Sequence, residues 1–139
     1  MDIVIDANEL FSCIIAKGKK LNSRTLDIFF SDKVRLHAPM KMLEELGNNR
    51  QEIIRKSGFS HAEYTLFLKV LTLRIDFAAL NSFSGEIAEA KSLAPHLKDA
   101  QYFGLALKLK AAIWSEEKAF KRQSKVQIFS TNELWTALQ

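Results

Sequence analysis

The chain has 139 residues, 47% hydrophobic and 26% charged, with 20 basic against 16 acidic side chains and a formal net charge of +4. Length and balance suit one globular domain over residues 1–139, long enough to bury its own core. A single cysteine, Cys13, excludes an internal disulfide and a cysteine-rich zinc centre, and no apolar run is long enough to span a bilayer.

The opening MDIVIDANEL has an acid at position 2 and no basic flank, so no secretory signal is expected and a soluble, reducing, cytoplasmic setting is predicted. Ile3, Val4 and Ile5 form a β-branched run ending in Asp6, which predicts a buried parallel strand. Residues 8–16 have helical spacing, with Leu10, Ile14 and Ile15 on one side and Gly18 near the end. Asn22 or Ser23 is placed to cap a second helix carrying Leu26, Phe29 and Phe30. Residues 34–38 read as a strand. Pro39 is expected to open a helix that runs to Lys56, with Gly58 beyond its end.

Ser60 and Glu63 have the spacing of a capping box, which starts a helix bearing Leu66, Phe67, Val70 and Leu71. Residues 75–78 are another short strand candidate. A helix through Ile87, Ala88 and Leu93 stops before Pro95. Residues 97–110 are predicted helical, with Ala100, Phe103, Gly104 and Leu107 on one face. Residues 112–115 and 126–129 read as buried strands, and Thr131 is expected to cap a last helix through Leu134, Trp135 and Leu138.

Strands alternating with helices predict a three-layer α/β/α fold with a short, mostly parallel central sheet. Ligands of such sheets bind beyond the carboxyl ends of the strands. Asp6 follows the first strand, and Glu116 and Glu117 follow the strand that ends at Ser115. Asp99 and the pair Glu44 and Glu45 sit in early helical turns. Carboxylates converging there would repel one another unless a hard divalent cation, Mg²⁺ or Mn²⁺, stood between them. Taken singly, Asp6 also reads as a helix cap and Asp99 as an acid favoured in a helical first turn. Glu44, Glu45, Glu116 and Glu117 singly read as solvated surface charges. His37, His61 and His96 stand at unrelated spacings and read as ordinary polar residues, and Cys13 reads as core.

Four segments together resemble the PIN-domain family of ribonucleases: IVIDANEL (Ile3–Leu10), APMKMLEEL (Ala38–Leu46), KDAQYFGLALKL (Lys98–Leu109) and AAIWSEEKAF (Ala111–Phe120). The resemblance covers nearly the whole chain. It implies metal-dependent hydrolysis of RNA by an endoribonuclease, the toxin of a toxin–antitoxin pair among the family's roles, with an antitoxin and a second copy as partners. Carried over residue by residue, Asp6, Glu45, Asp99 and Glu117 match the four acids. Asp6, Asp99 and Glu117 are implied to hold Mg²⁺ or Mn²⁺, with Asn8 and Ser115 in support. Glu45 is chosen over Glu44 because it directly precedes Leu46. Glu117 departs from the Asp usual in the family, which leaves open a PIN-like domain with impaired catalysis that binds nucleic acid or serves as a scaffold.

Lys118, Lys121, Arg122 and Lys125 lie just past the fourth segment, and the first three are candidates for contacting the RNA backbone. Lys17, Lys19, Lys20 and Arg24 form a second basic cluster, equally well read as solubilising charge. A phosphoacceptor domain is a further class; it would need a phosphorylatable Asp after a central strand, and only Asp76, inside an apolar run, lies near one.

Overall fold

The computed structural model describes residues 1–17 and 24–139. Its sheet has five strands, β1 (Asp2–Ile5), β2 (Arg35–Pro39), β3 (Ile75–Ala78), β4 (Ala112–Trp114) and β5 (Ile128–Phe129), all parallel, in the order β3-β2-β1-β4-β5. β1 is central. Its three apolar residues, Ile3, Val4 and Ile5, are fully buried, as a strand covered on both faces requires.

Helices cover both faces, giving three layers. The helix α7 (Ala100–Leu109) lies against β1, β2 and β4 and packs on α6 (Ile87–Leu93). α1 (Ala7–Lys17) packs with α2 (Arg24–Phe29), α3 (Lys41–Asn48), α4 (Arg50–Ser57) and α5 (His61–Thr72), and α2 also meets α8 (Thr131–Ala137). Gly104 makes the α6–α7 contact close. A Cβ there would stand 3.0 Å from Ile87 Cδ1 and 3.2 Å from a ring carbon of Phe83.

Elements set by neighbouring residues form as expected. Ser60 Oγ accepts the Glu63 N–H and the Glu63 carboxylate accepts the Ser60 N–H, closing the expected capping box. Gly58 ends α4 in the left-handed conformation, φ 77°. Elsewhere boundaries move. Pro39 ends β2 instead of opening a helix, and the single helix expected to reach Lys56 is two, broken at Asn49. Both the backbone N–H of Asn49 and its Nδ2 donate to the Glu45 carbonyl, so the side chain competes with the helical ladder and the chain turns. Residues 97–99 form a 3-10 turn ahead of α7. Ser130, not Thr131, caps α8, in a second capping box with Glu133. The caps proposed at Asn22 and Ser23, and Lys19 and Lys20 of the first basic cluster, lie outside the described residues.

The strand order locates the functional edge. From β1 the chain winds outward to β2 and β3, then returns to the other side of β1 for β4 and β5. Beyond the carboxyl ends of β1 and β4 the connections leave in opposite directions, which opens a crevice. Asp6 follows β1 there, and Ser115 follows β4.

Candidate active site

Asp6 is fixed at the crevice by backbone and side chain. Its N–H bonds to the Trp114 carbonyl at 3.1 Å, which extends the β1–β4 ladder by one residue. Its Oδ2 accepts the Ser115 hydroxyl at 2.8 Å, and Ser115 Oγ accepts the Glu117 N–H at 3.0 Å. Ser115 is buried, and Asp6 is only 7% exposed. Burial pushes the Asp6 carboxyl up to about 6; the nearby charges of Asp99 and Glu45 push the same way, against hydrogen bonds from Ser115 and the Asn8 backbone N–H. Asp6 therefore does what a cap of α1 does and still faces the crevice.

Opposite, Glu45 projects from α3 while its neighbour Glu44 is exposed. Tyr102 of α7 donates its hydroxyl to Glu45 Oε1 at 3.0 Å, and Lys41 Nζ stands 3.8 Å from the same oxygen. The Tyr102 hydroxyl is held far above its ordinary range by burial and by the charges of Glu45, Asp6 and Asp99, so it remains a donor. Asp99 sits where α7 begins but makes no side-chain capping bond. Burial raises its carboxyl and Glu117 adds to this, while Lys98, His96 and Lys41 act in the other direction.

Asp6, Asn8, Glu45, Asp99 and Tyr102 line one cleft of about 350 Å³, together with Lys41 and Lys98. Lys41 also reaches the Lys98 carbonyl, tying α3 to the turn that carries Asp99. Glu117 is exposed and does not line this cleft; its link to the site is its N–H on Ser115 and its charge on Asp99. Lys118, Lys121 and Arg122 form an exposed 3-10 turn away from the lining, and Lys121 pairs with Glu133 of α8. The cations at the cleft are Lys41 and Lys98, which sequence reasoning missed. The available signals were the spacing of Lys41, four residues before Glu45, and the position of Lys98 beside Asp99.

A buried carboxylate was also missed. Glu9, on the first turn of α1, is 2% exposed, and burial together with the charge of Glu116 raises it to about 7. It accepts the Glu116 N–H at 2.9 Å and faces the Thr131 hydroxyl at 3.5 Å. Among the residues expected to be inert, Cys13 is buried and its thiol is pushed well up by burial, and His37 bonds Asp2 at 2.9 Å.

The sequence profile of the PIN domain matches residues 4–138. This chain belongs to the PIN-domain family. PIN domains are generally nucleases, hydrolases acting on nucleic acid. No curated protein shows significant sequence similarity to this PIN domain. Among solved structures it is similar to a chain in the crystal structure of VapBC2 from Rickettsia felis bound to a DNA fragment from their promoter. The match has a TM-score of 0.64 at 14% identity and covers 94% of this chain and 98% of that one. At that identity the likeness concerns the fold.

PIN-domain nucleases are generally dependent on divalent metals, and the donor set of this PIN domain fits such an ion in kind. Its acids are oxygen donors, and the Asp6 carboxyl is raised by burial and, to a smaller extent, by the charges of Asp99 and Glu45, surroundings a hard cation relieves. Among the described residues, however, no three Asp, Glu, His or Cys side chains stand close enough to hold one ion. Asp6 accepts the Ser115 hydroxyl and Glu45 the Tyr102 hydroxyl. No helix among the described residues is long and apolar enough to cross a membrane.

Proposed function

We propose that this PIN domain is a divalent-metal-dependent endoribonuclease and the toxin of a toxin–antitoxin pair, acting in the cytoplasm with Asp6, Glu45, Asp99 and Glu117 as its catalytic acids. The observation that supports this most is the gathering of Asp6, Glu45 and Asp99 in one cleft beyond the carboxyl end of β1, among α1, α3 and the start of α7. Asp6 and Asp99, with Glu117, would hold Mg²⁺ or Mn²⁺, which when bound would neutralise charge at the scissile phosphate and lower the pKa of a water molecule. Ser115 orients Asp6 through its hydroxyl and positions Glu117 through its Oγ. Tyr102 holds the Glu45 carboxylate at the cleft wall. Lys41 and Lys98 offer ammonium groups to the phosphates on either side. The likeness to a VapBC2 chain supports an antitoxin protein as partner, since that structure is of a complex.

The test is cleavage of single-stranded RNA by the purified chain with Mg²⁺ or Mn²⁺. Asp6→Asn, folded by circular dichroism, is expected to lose cleavage by at least 100-fold, on the order of what a group acting in the transition state contributes. Full activity in Asp6→Asn would remove this site from the reaction.

One observation favours a second reading, a PIN domain that binds RNA without cutting it: Glu117 is exposed and off the cleft lining. Calorimetry with Mn²⁺ separates the two. Binding lost in Glu117→Gln supports the nuclease; no binding at all, with RNA still bound, supports the second reading.

A further inference from the structure

The cleft continues past its acids. Asn8, Phe11 and Asn49 line it, and the same three residues line an adjoining cavity of about 240 Å³ whose far end carries Ser12, Ile53 and Lys56. The two form one groove beside α1, against the broken helix pair α3 and α4. Its joint is Phe11. This ring is half-buried, packed on the core by one side and open to the groove by the other. Among the described residues the ring–ring contacts join Phe29 with Phe30, Phe59 with Phe67 and Phe103 with Phe120, so Phe11 is left unstacked.

Polar groups surround that ring. Asn8 is exposed beside it. Asn49 has its Nδ2 committed to the Glu45 carbonyl at 2.8 Å, which leaves its carbonyl oxygen to accept a base amino group. Cations stand at both ends: Lys41 and Lys98 by the acids, and Lys56, paired with Glu52 at 2.9 Å, at the other. A planar π face with amide groups at its rim and cations where phosphates would pass is the chemistry that recognises a nucleotide. A groove walled by helices on both sides admits a splayed single base and not a duplex.

We infer that Phe11 is a stacking shelf for one unpaired base of the RNA strand, the nucleotide next to the scissile phosphate, with Asn8 and Asn49 at the base edge. Substrates are then single strands or loops whose bases can leave the stack. This assignment rests on the RNA reading of the site, and it concerns binding, which can be measured apart from cleavage.

The experiment measures equilibrium binding by the cleavage-deficient chain Asp6→Asn of a single-stranded oligoribonucleotide and of the same backbone with abasic residues. Phe11→Leu, which keeps apolar bulk against the core, and Phe11→Trp, which enlarges the π face, are compared in that background, each checked for folding. The intact strand is expected to bind roughly 5- to 100-fold tighter than the abasic one. Phe11→Leu is expected to abolish most of that difference and Phe11→Trp to retain it. Equal affinity for the two strands, or an unchanged difference in Phe11→Leu, overturns the shelf. Base-dependent binding lost in Phe11→Leu, with no cleavage by the unmutated chain, keeps the shelf and sinks the nuclease; cleavage with Phe11-independent binding does the reverse.

Discussion

The carboxylate of Glu9 accepts the backbone N–H of Glu116 at 2.9 Å, across 107 positions of sequence. The bond belongs to a closed circuit. Thr131 donates its own N–H to Glu116 Oε1 at 2.7 Å, and Trp114 Nε1 donates to Thr131 Oγ1 at 3.1 Å, so the Thr131 hydroxyl hydrogen turns toward Glu9. This circuit fixes the segment 115–117 from below while Asp6 and Ser115 fix it from the crevice.

Glu9→Ala removes an acceptor from a partly buried N–H and is expected to cost about 2 kcal/mol. Glu9→Gln keeps an acceptor for Glu116 and is expected to lie within ~1 kcal/mol of the unmutated chain at pH 6. Urea titrations of both variants check this; equal losses would show that the Glu116 bond contributes nothing.

Asp6 and Glu9 give stability a pH dependence of definite sign. Both carboxyls are raised in the folded chain, to about 6 and about 7 respectively. The folded chain therefore holds more protons than the unfolded chain between the ordinary carboxylate range and these values. Stability falls as pH rises through that window, each residue contributing on the order of 3 kcal/mol. Thermal melts from pH 4.5 to 8 should show the decline, and Asp6→Asn or Glu9→Gln should each flatten it. A curve that rises through the same window would contradict both shifts.

A divalent ion should reverse the Asp6 effect, because it binds the ionised form. At pH 7.5, Mn²⁺ is expected to raise Tm by several degrees in the unmutated chain, by mass action, and to leave Asp6→Asn unchanged. An equal rise in both places the ion elsewhere.

Tyr102→Phe deletes the hydroxyl that holds Glu45 and nothing else. The expected cost is about 1 kcal/mol, with a larger fall in kcat than in affinity for RNA. Because the Tyr102 hydroxyl stays protonated throughout, the loss should be independent of pH between 6 and 9; a loss confined to high pH would assign the hydroxyl a different role.

What the chain disclosed in advance was what neighbouring residues decide. The β-branched run ending at Asp6, the strand before Ser115 and the Ser60–Glu63 box each depend on a few adjacent side chains, and each is found. The break at Asn49 was masked because apolar spacing continues on both sides of it, although Gly47, Asn48 and Asn49 are poor helix formers. Glu9 carries no local signal that sets it apart; its partners, Glu116 and Thr131, lie more than a hundred positions away. Lys118, Lys121 and Arg122 were favoured for their nearness in sequence to Glu117, whereas Lys41 and Lys98 come to the cleft through the packing of α3 against the turn before α7.

The strand order divides the molecule's inheritance of its acids. The strands β1, β2 and β3 are contributed by residues 1–78, and β4, β5 and α7 by the remainder. A cut in the exposed turns after β3 would therefore leave Asp6 and Glu45 on one fragment and Asp99 and Glu117 on the other. Neither piece holds all of these acids, so their arrangement depends on the chain being whole, with β1 paired to β4.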